Sequence, residues 1–482
     1  MLATGSASPF ALSAPERERL ESCLRRAVKR ARRTGVETLA TVSVELAGDV
    51  DPSAVANCSR RAGEPWFLFE QPDRGGAALA GLGNTACLEA QGAGRFEEVS
   101  ERWQAIAAAA VYDPASDAEG GGPLAFGGFA FAPDGARAPE WDGFLPASLT
   151  VPEVALSRRT REGVLTVCMT LSALAAPDDT PEQLLARLDR RLGELSSRSL
   201  GLLDPAPAGR TVVASLMAPE HYEAAVARAV ELIGAGTLEK IVLAREVQVQ
   251  APVAFDPGAL FGVLREEFRS CFVFCVGRGD ATLIAASPEL LVRREGQRVS
   301  TLALAGSTRR SADPAVDDHL GERLLRNESH REEHAIVVRR IERTLRPHAV
   351  WIASAPEPAV VRMANIQHLA TPIRAQLAAP LDALALAGLM HPTPAVGGEP
   401  LSVAEPLIPA LEGLDRGWYS GPVGWTDATG DGEFCVALRC ALLRGAGARC
   451  YAGNGIVGGS EPAAELAETE VKLAALLPLL AG

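Results

Sequence analysis

The sequence predicts a mixed α+β fold, and three features carry that reading. Helix signatures and strand-like runs follow one another without the regular strand–helix–strand period of a doubly wound sheet. No segment repeats at a fixed spacing, which excludes solenoids and propellers. The 482 residues, 47% hydrophobic and 22% charged, suffice for a large core, and length alone argues for two or three domains.

In chain order, Ser13-Ala14-Pro15-Glu16 reads as a capping box opening a basic helix that runs to about Gly35. Strand-like runs follow at TLATVSVEL, WFLFEQ, PLAFGGFAFAP and VLTVCMTLSAL, broken by Gly, Pro and Asp turns. Thr180-Pro181-Glu182-Gln183 caps the helix QLLARLDRRLGELSSR, and the stretch from Leu200 to Arg210 reads as a linker. A helix from about Pro219 to Gly234 then leads into the strand KIVLAREVQV. Further strands fall at CFVFCVG, ATLIAAS and ELLVRREG, and a charged helix covers roughly Asp317 to Leu345. After the turns HPTPAVGGEP and GWYSGPVGW, EFCVALRCALL and RCYAGNGIV read as a hairpin, and a last helix begins near Pro462.

Charge and cysteine usage narrow the function classes. A net charge of −13 speaks against a nucleic-acid binder and against a polybasic membrane anchor. No 18-residue apolar stretch occurs, and the N-terminus lacks the basic and apolar regions of a secretory signal. The nine cysteines are odd in number and without a CxxC pair, which points to a reduced, cytoplasmic protein; Cys271 and Cys275 read as core thiols. Lysine stands only at Lys29, Lys240 and Lys472, and the other 44 of 47 basic residues are arginine. Where arginine serves almost every generic cationic role, a retained lysine is a candidate for work that needs an ammonium able to give up its proton. Chance retention is the plain alternative, and it suits Lys29.

Four groups of residues bear on chemistry. Glu465, Glu468 and Lys472 share one face of the last helix. Glu468 and Lys472 make a favourable helix ion pair, whereas the two carboxylates together suit Mg²⁺. His330-Arg331-Glu332-Glu333-His334 fits H-x-x-E-H, the inverted zinc-peptidase signature, although a solvated helix face explains it as well. Gly453-Asn454-Gly455-Ile456-Val457-Gly458 fits the dinucleotide fingerprint, but only 24 residues remain, too few for the rest of that unit. Its glycines suit the approach of a backbone to a small anion. Lys240 at a strand start suits a general base and Glu289 a general acid; surface ion pairs are the alternative for each.

Taken together, EKIVLAR, AASPELLVRR, LALAGSTRR, REEHAIVV, NIQHLATPI, HPTPAVGGEP, GWYSGPVGW, GEFCVALR and YAGNGIVGGSEPAAELAETEVKL closely resemble the chorismate-utilising enzymes. The segments run in order over about residues 215 to 480, and GGFAFAP at Gly127 to Pro133 resembles menaquinone-type isochorismate synthases more loosely. The resemblance implies one large α+β globule, a β-sheet sandwich wrapped by helices. Residues 1–210 would complete the sandwich and residues 211–482 form the catalytic region.

Residue by residue, Lys240 matches the family's water-activating base and Glu289 the acid that protonates the departing C4 hydroxyl. Glu333 and Glu468 match the Mg²⁺ ligands, with Glu465 close by. Arg439, Tyr419 and Lys472, with backbone near Gly453 and Gly455, match the groups holding the substrate carboxylates, and His368 matches a pocket histidine. Anthranilate synthases resemble the pattern but carry Gln at the Lys240 position, and aminodeoxychorismate synthases carry Lys where this chain has Ala305. Salicylate synthases usually carry Thr at the Ala395 position, where isochorismate synthases have Ala. The resemblance therefore implies an isochorismate synthase acting on chorismate with Mg²⁺ as a monomer or homodimer, without a glutamine amidotransferase subunit, its product feeding quinone, siderophore or salicylate synthesis. Salicylate synthase is the nearest alternative. A zinc peptidase built on HREEH and a non-catalytic chorismate-binding relative are the alternatives from other classes.

Overall fold

The first helix, Ala14–Thr34, opens where the Glu16 carboxylate accepts the Ser13 backbone N–H at 2.7 Å, and it ends at Gly35 in the left-handed region. Thr180 starts the helix Pro181–Gly193 in the same way, its hydroxyl accepting the Gln183 backbone N–H at 3.3 Å. The computed structural model describes residues 8–47, 49–114, 122–161, 163–204 and 209–482. Part of the expected linker, residues 205–208, lies outside the described residues.

The described strands form two sheets, one of 13 strands and one of 10. Their inner faces pack on each other through Phe67, Phe69, Phe274 and Leu283 from the larger sheet and Phe126, Val423 and Cys435 from the smaller. Phe67 and Phe126 stack across this seam with ring centroids 4.6 Å apart. Helices cover the outer faces: Ala14–Thr34, Pro181–Gly193 and Pro257–Glu267 on the larger sheet, Arg95–Ala109, Glu328–Leu345 and Ala383–Met390 on the smaller. The fold is therefore the α+β sandwich wrapped by helices that the sequence implied.

Early and late parts of the chain share both sheets. The strand Gly63–Gln71 pairs with Phe272–Gly279, and Leu124–Phe129 pairs with Pro422–Asp427. Strands from both halves of the chain thus lie side by side in each sheet.

Two expectations are corrected. The charged helix expected from Asp317 to Leu345 is two helices, Pro314–Arg326 and Glu328–Leu345. They part at Asn327, whose side chain accepts the His330 backbone N–H at 3.0 Å and so caps the second helix instead of continuing the first. The run EFCVALRCALL is likewise not one hairpin strand. Gly432–Val436 belongs to the smaller sheet, and Cys440–Arg444 belongs to the larger, where it makes the hairpin with Gly447–Ile456. The chain changes sheets through Arg439, whose φ of +47° lies in the left-handed region that non-glycine residues seldom adopt.

Candidate active site

Lys240 opens the strand Lys240–Gln250, which pairs antiparallel with Gly447–Ile456, placing Val242 opposite Gly455 and Ala244 opposite Gly453. Strand alternation puts Lys240 on the same face as these glycines. The lysine is fully buried, and its Nζ donates to Glu333 Oε1 at 2.8 Å. A Cβ on Gly455 would sit 2.3 Å from that Glu333 oxygen and 2.6 Å from Lys240 Cε. Only a glycine leaves room there for the ion pair to lie across the strand.

Glu333 of this pair lines a cavity of about 390 Å³, whereas Lys240 itself is not among the lining residues. Its wall holds Glu289, Glu333, His368, Ala395, Tyr419, Arg439, Gly453, Gly455, Glu465, Glu468 and Lys472, so the expected site residues other than Lys240 converge on one space. They come from both sheets and from two helices, up to 183 residues apart in sequence.

Glu289 stands between the strands Ala281–Ser287 and Leu290–Glu295 and is 4% exposed. Burial pushes its carboxyl up to about 8, against the opposing pull of the Lys240 and Arg439 charges. It is thus protonated at neutral pH. Tyr419 stacks on Tyr451 with centroids 5.2 Å apart, and burial raises its phenol to about 12, which keeps it a hydrogen-bond donor. Arg439 reaches His368, with Nη2 and Nε2 3.3 Å apart. Burial and the Arg439 charge hold His368 well below its ordinary pKa, and its ring also bonds the Gly306 backbone. A neutral His368 accepting from Arg439 aims that guanidinium along the cavity.

The carboxylates are arranged unequally. Burial would raise Glu333, but the Lys240 charge and the hydrogen bonds from His330 and Lys240 outweigh it and hold it at about 2. Glu468 also stays below its usual range despite burial, because Lys472 lies 2.8 Å away and Ser307 donates to it at 2.6 Å. Glu465 is raised by burial and by the neighbouring Glu468 charge, and its carboxylate accepts from Asn454 at 2.9 Å. Glu333 and Glu468 each commit their Oε1 atom to protein donors. Two hard carboxylates beside an open space fit a cation that takes its other ligands from water and substrate, as Mg²⁺ does. Among the described residues there is no cluster of three or more His, Cys, Asp or Glu side chains placed for a metal.

Lys472 Nζ donates to Gly453 O at 3.0 Å and to Asn454 Oδ1 at 2.7 Å, besides pairing with Glu468. With three acceptors already met, it takes a substrate carboxylate only by exchanging one of them. The expected helix ion pair with Glu468 is therefore present, beside a contact with the Gly453 backbone that the sequence did not signal.

The zinc reading of HREEH is corrected. His334 Nε2 bonds Thr371 Oγ1 at 2.8 Å, and burial lowers the ring to about 4. Its neighbours in the motif, His330 and Glu333, line the cavity, whereas His334 does not. The i to i+4 spacing that suggested two ligands instead spans a cavity wall and a sheet contact. Ser307, Ser420 and Tyr451 also line the cavity and were not expected there. Ser307 faces His368 across a bulge in which Ala305 pairs with Leu369 and Gly306 is left over, a local register shift that strand alternation does not signal.

Known proteins give this geometry a context. The sequence profile described as chorismate binding enzyme matches residues 26–481. A Pseudomonas aeruginosa protein named salicylate biosynthesis isochorismate synthase is 36% identical over 96% of this chain and 94% of its own length. A Bacillus subtilis protein named isochorismate synthase MenF is 31% identical over 86% of this chain and 88% of its own. Among solved structures, the menaquinone-specific isochorismate synthase from Escherichia coli superposes with a TM-score of 0.76 at 24% identity, covering 96% of this chain and 99% of that one, a likeness of fold. With the profile spanning nearly its whole length and full-length relatives above 30% identity, the chain belongs to the chorismate-binding enzyme family.

Proposed function

We propose that this chain is a Mg²⁺-dependent isochorismate synthase that converts chorismate to isochorismate. The observation that supports this most directly is the gathering at one cavity of Glu289, a carboxyl protonated up to about pH 8, with the carboxylates Glu333 and Glu468, Glu333 being paired with buried Lys240. Once its ammonium has given up a proton, Lys240 accepts one from a water molecule entering at C2, and the ring double bonds shift as the C4 hydroxyl departs. Glu289 gives its proton to that hydroxyl, which leaves as water. One proton is taken and one given, so exchange with solvent resets the pair before the next turnover.

Substrate carboxylates would meet Arg439, Tyr419 and the backbone around Gly453 and Gly455, with His368 orienting Arg439. Ala395 keeps its part of the wall small. Glu333 and Glu468 would hold the ion, with Glu465 beside them. When bound, Mg²⁺ supplies positive charge next to a substrate carboxylate in a cavity where burial already strengthens electrostatics.

Incubating the purified protein with chorismate and Mg²⁺ and separating the products tests the reading. Isochorismate in near-balance with chorismate, approached from either side, is the expected result. Salicylate with pyruvate as the main products would replace it with a salicylate synthase, and no turnover of chorismate would overturn both.

A further inference from the structure

Glu399 is a buried carboxylate whose hydrogen-bonded cations among the described residues, Arg340 and Arg343, come from another element. It sits on the short strand Gly398–Glu399, which pairs antiparallel with the start of the Lys240 strand so that Lys240 and Glu399 face each other in the ladder. The backbone contact is close on both sides: the Glu239 N–H donates to Glu399 O at 2.8 Å, and the Val242 N–H to Gly397 O at 2.7 Å. A Cβ on Gly398 would lie 2.7 Å from Lys240 O, so glycine permits this approach. The Glu399 side chain then reaches the helix Glu328–Leu345, accepting from Arg343 Nη2 at 2.6 Å and from Arg340 Nη1 at 3.2 Å. Arg340 lies seven residues after Glu333, two turns along the same helix face.

These contacts close a circuit. Backbone joins Lys240 to Glu399, two charge-assisted bonds join Glu399 to the helix, and the helix returns Glu333 to Lys240 Nζ at 2.8 Å. Apolar packing of the helix on its sheet is non-directional and leaves sliding along the axis weakly resisted. A two-armed carboxylate–arginine clamp is directional and fixes that coordinate. We infer that Glu399 is a positioning residue that sets the axial register of the Glu333 helix against the Lys240 strand. It acts through Lys240 and Glu333, and so rests on the roles given to them above.

The test compares Glu399→Ala, Glu399→Gln and, as a control, Glu357→Gln, which breaks the 2.7 Å Arg331–Glu357 pair of the same helix without touching the Lys240 strand. Glu399→Ala is expected to lower kcat for chorismate on the order of tenfold with little change in KM, and to weaken Mg²⁺ binding to the substrate-free protein, read by calorimetry, on the order of tenfold. Glu399→Gln keeps the shape and one acceptor and should recover part of both, and it carries the test if the alanine variant does not fold. Glu357→Gln should change neither. Wild-type kcat and Mg²⁺ affinity in both Glu399 variants, with only a lower Tm, would overturn the inference. A wild-type protein that makes no isochorismate would instead overturn the functional reading, while the Mg²⁺ calorimetry would still report on the clamp.

Discussion

Lys240 shows how far a single residue type can be read. Its rarity marks it in the sequence, and the structure buries it completely with its Nζ on Glu333. Replacement by arginine keeps the charge and the capacity to pair with Glu333 but removes a proton acceptor. Lys240→Arg is expected to reduce chorismate turnover by about 10²-fold or more, with circular dichroism near wild type and a lower Tm, because the larger guanidinium enters a fully buried site. Retained activity would remove Lys240 as the base. Glu289 carries the pH prediction. Its raised pKa means that the neutral acid, the form able to donate, is present below about pH 8 and is lost as the pH rises through that value. The kcat for isochorismate formation should therefore hold across neutrality and fall above about pH 8, and Glu289→Gln should abolish the descending limb together with most activity. A profile that stays flat to pH 10 in the wild type would show that Glu289 is not the acid.

The helix Pro462–Leu473, expected as the last but followed by the short helix Leu477–Ala481, gathers opposing charges onto one face. Periodicity alone places Glu465, Glu468 and Lys472 together, but it does not say which partners they meet. The structure gives Glu468 to Lys472 and Ser307, and Lys472 to the Gly453–Asn454 backbone and side chain, so the helix is pinned to the glycine-bearing strand. Glu468→Gln should leave the fold intact and raise the Mg²⁺ concentration needed for half-maximal turnover by about tenfold. An unchanged Mg²⁺ titration would reduce Glu468 to a helix ion pair. The helix Glu328–Leu345 teaches a complementary lesson. Its charged sequence reads on without a break from Asp317, yet Asn327 ends one helix and caps the next. That restart sets which way Glu333 and His330 point.

At the scale of the whole molecule, the first 200 residues supply neighbours for strands that carry no site residue. Phe272–Gly279 has Gly63–Gln71 along one side, and Pro422–Asp427 has Leu124–Phe129. A fragment of residues 211–482 would expose both edges and the Phe126 side of the inner aromatic seam. It is expected to be insoluble or to lack a cooperative thermal transition. A soluble fragment that turns over chorismate would show that the catalytic region is an independent domain.

Residue types and local periods determined the capping boxes at Ser13 and Thr180 and the strands of the Lys240 region, while the ordered motifs that resemble the chorismate-utilising enzymes implied the side chains that gather at the cavity. These are legible because capping, strand alternation and motif order depend on neighbours in sequence. Only the tertiary structure decided the rest. Arg439 takes a left-handed conformation because the chain changes sheets there, Gly306 falls in a bulge, and Glu399 spans from one strand to a helix some 60 residues earlier. Each of these depends on contacts between segments far apart in the chain, where the strain or charge of one residue is offset by partners that local sequence does not contain.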